Sequence, residues 1–168
     1  ELKPKLLEEA VQRGPEDLIF ASNTSAIPIA KIAEGSARPD RVVGMHYFSP
    51  VEKMPLLEVV QTPQSDPAVV STCVQLGRRQ GKKVIVVNDG VGFYTTRILA
   101  AYMAGAFRLV SLGARIDDVD HALETWGFPM GPFALADRVG VSLAVEIAET
   151  LSELGERFEL PEAFAKAE

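Results

Sequence analysis

Cysteine is almost absent from this chain. Cys73 stands alone, so no internal disulfide can form and no thiolate metal cluster can assemble within one molecule. A reducing compartment fits that usage. Histidine is nearly as scarce: His46 and His121 are the only two, and neither has a second histidine at metal-ligand spacing, which argues against a zinc site. Long apolar runs are also missing. The longest, Ile98 to Phe107 with Gly105 inside it, is about half of what a bilayer crossing requires, and Arg97 and Arg108 close it off. Basic residues are in deficit, 17 against 23 acidic ones for a formal charge of -6. That balance excludes nucleic acid as an expected partner, because phosphate-backbone binding needs clustered Lys and Arg. There is no G-x-S-x-G elbow, so a Ser–His–Glu hydrolase would lack its nucleophile. The dinucleotide fingerprint G-x-G-x-x-G is absent as well; Gly90 and Gly92 supply only its first half. The start, Glu1-Leu2-Lys3-Pro4-Lys5, has no initiator methionine, no apolar signal core and no Arg-rich transit character, and is expected to be a cut inside a longer chain.

What is present is enough for a proper core. The 168 residues are 47% hydrophobic, which suits one domain or two small ones. The first half alternates between strand and helix periodicities, as in an α/β layer. Leu6, Leu7, Ala10 and Val11 predict a short helix ending near Gly14-Pro15, and Leu18–Ala21 a buried strand. Asn23-Thr24-Ser25 offers cap-type residues before a helix holding Ile29, Ile32 and Ala33, which Gly35 stops. Arg41–Phe48 and Leu56–Val60 read as two strands about a proline-containing turn. Ser65-Asp66-Pro67 starts a helix with Val70, Cys73 and Val74, and Lys83–Val87 is a final β-branched strand. The turn formers Asn88 to Gly92 place the domain boundary there. Beyond it the periodicity is helical. One stripe runs through Leu99, Met103, Ala106 and Val110, and a second through Ile116, Val119, Leu123 and Trp126. Phe128–Pro132 must be irregular, and two further helices are expected near Phe133–Val139 and Ser142–Leu154.

Chemistry concentrates on one histidine. His121 lies on an acidic helix face beside Asp118 and Asp120 and reads as a solvated surface residue. His46 ends an apolar strand, where α/β sheets open towards ligands, and Glu58 sits on the next strand between Leu57 and Val59. A carboxylate in such apolar company needs a partner to remain ionised. Bonded to one imidazole nitrogen, it would fix the tautomer and leave the other nitrogen to take a proton. From spacing alone, a structural ion pair explains the two residues at least as well. Ser25 reads either as a helix N-cap or as a ligand contact, since a helix N-terminus also offers amide donors.

The run Gly44-Met45-His46-Tyr47-Phe48-Ser49-Pro50-Val51, followed by Met54-Pro55-Leu56-Leu57-Glu58-Val59-Val60, resembles the 3-hydroxyacyl-CoA dehydrogenases. Asn23-Thr24-Ser25 looks like that family's NTS segment, Asp89-Gly90-Val91-Gly92-Phe93 like its D-x-PGF crossing, and Pro129–Phe133 like its PMGPF, all in the family's order. The resemblance implies that residues 1–88 are the C-terminal part of a Rossmann-like NAD-binding domain. Residues 89–168 would then belong to a helical dimerisation and substrate domain. It implies NAD-dependent oxidation of (3S)-3-hydroxyacyl-CoA to 3-oxoacyl-CoA in fatty-acid β-oxidation. His46 would be the catalytic base and Glu58 its partner; Asn23, Ser25 and Ser49 would lie at the cofactor, and Ser25 and Thr96 at the acyl-CoA substrate. The pyrophosphate loop is then expected in a segment preceding Glu1. Single-function members have Asn at Ser49 and Thr96 and Pro at Val91. In Ser49 and the run Gly92–Arg97 the chain is instead similar to the dehydrogenase part of fatty-acid oxidation complex alpha subunits, in which a hydratase domain precedes. A homodimer, a thiolase partner subunit and a cytoplasmic location (the mitochondrial matrix in a eukaryote) are what that likeness implies. Three rival readings remain: a non-catalytic dimerisation or binding module, a short-chain 3-hydroxybutyryl-CoA enzyme, and a hydroxy-acid dehydrogenase.

Overall fold

Alternation along two strands organises the first unit. In a strand successive side chains leave opposite faces of the sheet, so residues of equal parity share a face. Val43 and Met45 of β2 (Val42–Tyr47) and Leu57 and Val59 of β3 (Leu56–Gln61) pack against Val69, Val70 and Cys73 of helix α3 (Pro67–Arg79). The opposite parity, Val42 and Val60, packs against Leu7 of α1 (Leu2–Arg13), Ile29, Ile32 and Ala33 of α2 (Ile29–Ala33), and Phe93. His46 shares its parity with Val42 and Glu58 with Val60. Both therefore fall on the α1–α2 face.

These relations come from a computed structural model, which describes residues 2–159 and 161, and the side chains of all of these except 141–144 and 146. The chain forms two compact units, dividing between Tyr94 and Thr95. The first holds a four-stranded sheet in the order β1-β2-β3-β4, with β1 at Phe20–Ser22 and β4 at Lys83–Asn88. β1 runs parallel to β2 and β3 parallel to β4, while β2 and β3 are antiparallel. The sheet is mixed because the connection from β2 to β3, residues 48–55, is too short for the crossover that a parallel pair requires.

Gly44 is needed at the centre of this layer. A Cβ there would lie 2.8 Å from the Val60 Cβ and 3.0 Å from the Ile29 Cδ1, so the bare backbone is what lets α2 settle on the sheet. Two expectations shift. The first strand lies at Phe20–Ser22, because Leu18 and Asp17 instead offer their carbonyls to the Arg41 guanidinium. The helix after it begins at Ile29, and its N-cap residue is Pro28, which has no capping side chain.

The second unit is helical, as the periodicity predicts: α4 (Thr95–Ser111), α5 (Ile116–Trp126), α6 (Pro132–Val139) and α7 (Val141–Ser152). Ala106 and Phe107 meet Val119, Phe133 and Ala136, with the Phe107 and Phe133 rings edge to face at 5.0 Å. The irregular segment before α6 is pinned by α5. The Asp120 carboxylate accepts from the Phe133 and Ala134 amides at 2.9 and 3.0 Å, and Glu124 accepts from the Gly131 amide at 3.1 Å. Both expected stripes are corrected at their ends. Val119 is buried, but Ile116 and Leu99 are exposed and Trp126 is 79% exposed, stacked on Phe128 at 5.6 Å. A helix end projects past its packing partner, and periodicity does not reveal where that partner stops. Residues 160 and 162–168 of the expected 89–168 unit lie outside the described residues.

Candidate active site

The β2–β3 register pairs His46 directly with Glu58. Directly opposed side chains on one face of an antiparallel pair are within reach of each other, and here the His46 Nδ1 lies 2.6 Å from the Glu58 Oε2. Glu58 is 0% and His46 6% exposed. A carboxylate can only accept a hydrogen bond, so Nδ1 donates, and in the neutral ring the lone pair is then on Nε2. Tight, water-poor contact makes the pairing strong and fixes the ring's tautomer and tilt.

Aromatic neighbours complete the wall around the imidazole. Phe48 lies 4.5 Å from it between ring centroids and Phe93 5.8 Å, both tilted. Phe93 sits in the left-handed region at φ 47°, an uncommon conformation for a bulky residue, and its side chain is buried. Sequence reasoning missed both rings; only the Phe93 position in the D-x-PGF-like run hinted at one of them.

The other predicted residues fall as follows. Asn23, exposed, uses its Oδ1 to accept from the Tyr47 amide at 2.8 Å, beside His46. Ser25 is half-buried on the loop between β1 and α2. Ser49 is exposed at the start of the β2–β3 turn, which Lys82 holds by donating to the Val51 and Met54 carbonyls. The structure thus brings His46 and Glu58 into contact and ties Asn23 to the same strand. Thr96 is buried in the first turn of α4 and belongs to the second unit. His121 is exposed.

One group that the sequence reading passed over stands out. Asp89, read only as a turn former, accepts from the Ile29 amide through one oxygen and the Ala30 amide through the other, both at 2.8 Å. It supplies the cap of α2 across sixty residues of sequence. The Ile29 and Ala30 amides are therefore taken by a carboxylate and not left for a ligand.

An apolar cavity of about 170 Å³ lies between α1, β1 and β2, lined by residues such as Leu7, Leu18, Phe20 and Arg41. His46 is not part of its lining, and the cavity carries no argument about chemistry. Among the described residues no helix is long and apolar enough to cross a membrane.

Comparison with known proteins bears on the same residues. A family model described as "3-hydroxyacyl-CoA dehydrogenase, NAD binding domain" matches residues 1–90, and one described as "3-hydroxyacyl-CoA dehydrogenase, C-terminal domain" matches residues 92–167. The fatty acid oxidation complex subunit alpha of Idiomarina loihiensis is 48% identical over 166 residues, and that of Shewanella frigidimarina 49%. Each match covers 98% of this chain, which spans only 23% of the relative's length. Among solved structures, the (S)-3-hydroxybutyryl-CoA dehydrogenase PaaH1 of Ralstonia eutropha superposes with a TM-score of 0.92 at 32% identity, over 97% of this chain and 59% of its own. The 3-hydroxybutyryl-CoA dehydrogenase of Escherichia coli K12 gives 0.85 at 30%, over 97% and 34%.

Proposed function

The chain belongs to the 3-hydroxyacyl-CoA dehydrogenase family, and from that premise we propose that the protein containing it oxidises (3S)-3-hydroxyacyl-CoA to 3-oxoacyl-CoA with NAD. The observation that carries the reading is the buried 2.6 Å contact between His46 Nδ1 and Glu58 Oε2. With Nδ1 committed to Glu58, Nε2 is the nitrogen that takes the proton of the substrate's 3-hydroxyl, and Glu58 offsets the charge the ring gains. NAD, when bound, supplies the acceptor for the hydride leaving C3. Asn23, Ser25 and Ser49 would hold its nicotinamide end; the donor left on the Asn23 amide once Oδ1 is bonded to Tyr47 suits a carboxamide or ribose oxygen. Ser25 would also touch the substrate oxygen, and Thr96 the acyl thioester.

Residues 1–88 then form the later part of the nucleotide-binding domain and 89–168 the start of the substrate and dimerisation domain. Exposed Ile98, Leu109 and Leu112 on and after α4 support a homodimer through the helical part. The names of the curated relatives support membership of a fatty-acid oxidation complex, with a thiolase subunit as partner and the bacterial cytoplasm as location. The solved neighbours favour a second reading for the substrate, a short 3-hydroxybutyryl chain; a panel of acyl-CoA lengths with free hydroxy acids as controls separates the two.

His46→Gln in a catalytically complete protein carrying this chain should lower turnover about a hundred-fold or more. Turnover at the unsubstituted rate would refute the reading and leave a binding module in which His46 is a packed sheet residue.

A further inference from the structure

We propose that Asp89 is a positioning residue for the reaction, holding the loop that carries Ser25 in fixed relation to His46 and Glu58. The inference rests on the dehydrogenase reading of that pair.

The loop between β1 and α2 is tied at both ends to the two strands that bear the pair. At its start the Asn23 Oδ1 accepts from the amide of Tyr47, the residue after His46 on β2. At its end the Asp89 carboxylate holds the Ile29 and Ala30 amides at 2.8 Å each, while the Asp89 amide donates to the Gln61 carbonyl of β3 at 2.9 Å. β3 is the strand that carries Glu58. Between these ends the Thr24 hydroxyl accepts from the Ile27 amide at 3.1 Å, and the Gly92 amide donates to the Ala26 carbonyl at 3.2 Å. Ser25 is thus flanked on both sides by hydrogen bonds whose far partners belong to β2 and to the 89–93 turn, which is itself bonded to β3 through the Asp89 amide.

A local cap could have served α2 alone. The helix spans only Ile29–Ala33, far too short to persist by itself, and a Ser or Asp at position 28 would satisfy the Ala30 amide locally. The chain has Pro28 there and takes its cap from the far side of the sheet, which couples the helix start to β3. The same turn places Phe93, in its left-handed conformation, 5.8 Å from the His46 ring. Strained residues persist where surrounding contacts over-determine them, and they cluster at functional sites.

Two measurements test this. In the full 168-residue chain, amide hydrogen exchange should show Ile29 and Ala30 losing protection in Asp89→Ala, with faster exchange spreading back towards Ser25 and the β2–β3 amides unchanged. Unchanged exchange at 29 and 30 would overturn the proposal. In a catalytically complete protein, Asp89→Ala should lower kcat/KM about tenfold or more through misplacement of Ser25. Because it acts through Ser25, the double variant with Ser25→Ala should be no worse than Ser25→Ala alone, within about twofold. Additive losses would overturn the proposal while leaving the dehydrogenase reading intact, provided His46→Gln is inactive in the same assay. A fully active His46→Gln would overturn both. If Asp89→Ala does not fold, Asp89→Asn, which keeps one acceptor oxygen of the two, enters the same cycle with the same expected non-additivity.

Discussion

His46 and Glu58 occupy opposed positions of an antiparallel pair, and no water separates the imidazole from the carboxylate at 2.6 Å. Neither residue has much solvent to fall back on, so each defines the other's state.

Removing only the charge of this pair isolates its chemical share. Glu58→Gln keeps the volume and can still accept from Nδ1, so the fold should survive with a similar urea midpoint. Turnover in a complete protein should fall roughly ten- to a hundred-fold, since the ring's positive charge is no longer offset. Glu58→Ala should in addition lose about 3 kcal/mol of stability, by leaving a buried hole and an unpaired ring. A Glu58→Gln protein with undiminished turnover would remove Glu58 from the mechanism.

Gly44→Ala tests how tightly α2 sits on the sheet. The added carbon would meet the Val60 Cβ at 2.8 Å and the Ile29 Cδ1 at 3.0 Å, and overpacking of this kind costs about 1–3 kcal/mol. Denaturant unfolding should show that loss, and Ile29→Val, which removes the Cδ1, should recover part of it in the same chain. A Gly44→Ala chain as stable as the original would mean that the layer has room to relax.

Cys73 should be silent to thiol reagents in the native chain. It is 3% exposed in the α3 core, and burial pushes its thiol above the ordinary value of 9.0. Labelling by a disulfide reagent at neutral pH should therefore wait for unfolding. The sign of the pH effect follows. The folded thiol keeps its proton while the unfolded one ionises near 9.0, so stability is complete below that pH and declines as pH rises through the folded value. Cys73→Ala should lose that alkaline decline; an identical alkaline profile would assign it to other groups.

Titration of NADH fluorescence against the isolated chain should give only weak binding. No G-x-G-x-x-G loop occurs among its 168 residues, and that loop is what cradles the pyrophosphate. Saturation at low micromolar cofactor would show that the residues around Asn23 and Ser49 suffice by themselves.

Much of the site could be read in the order of residues. The apolar runs Arg41–Phe48 and Leu56–Val60 marked two strands, and a histidine and a glutamate embedded in them were the unusual polar members. The start of α3 and the bounds of α5 and β4 likewise landed within a residue or two of those observed. The start of α2 was misread because Asn23-Thr24-Ser25 has cap-type composition, while the real cap comes from Asp89. The second helical stripe was misread at Trp126, whose periodicity matches a core position but whose ring is exposed and stacks on Phe128.

From sequence alone came the kinds of element, their order, and the family motifs around His46, because periodicity, turn chemistry and motif spacing are written in residues close together along the chain. Only the tertiary structure decided that His46 faces Glu58 and not a neighbour, since a slip of one residue in register would turn one of them to the opposite face. It likewise decided that Asp89 closes the loop bearing Ser25. Contacts between residues so far apart depend on how strands pair and helices pack, and that is settled by the burial of the whole core and not by any local run of residues.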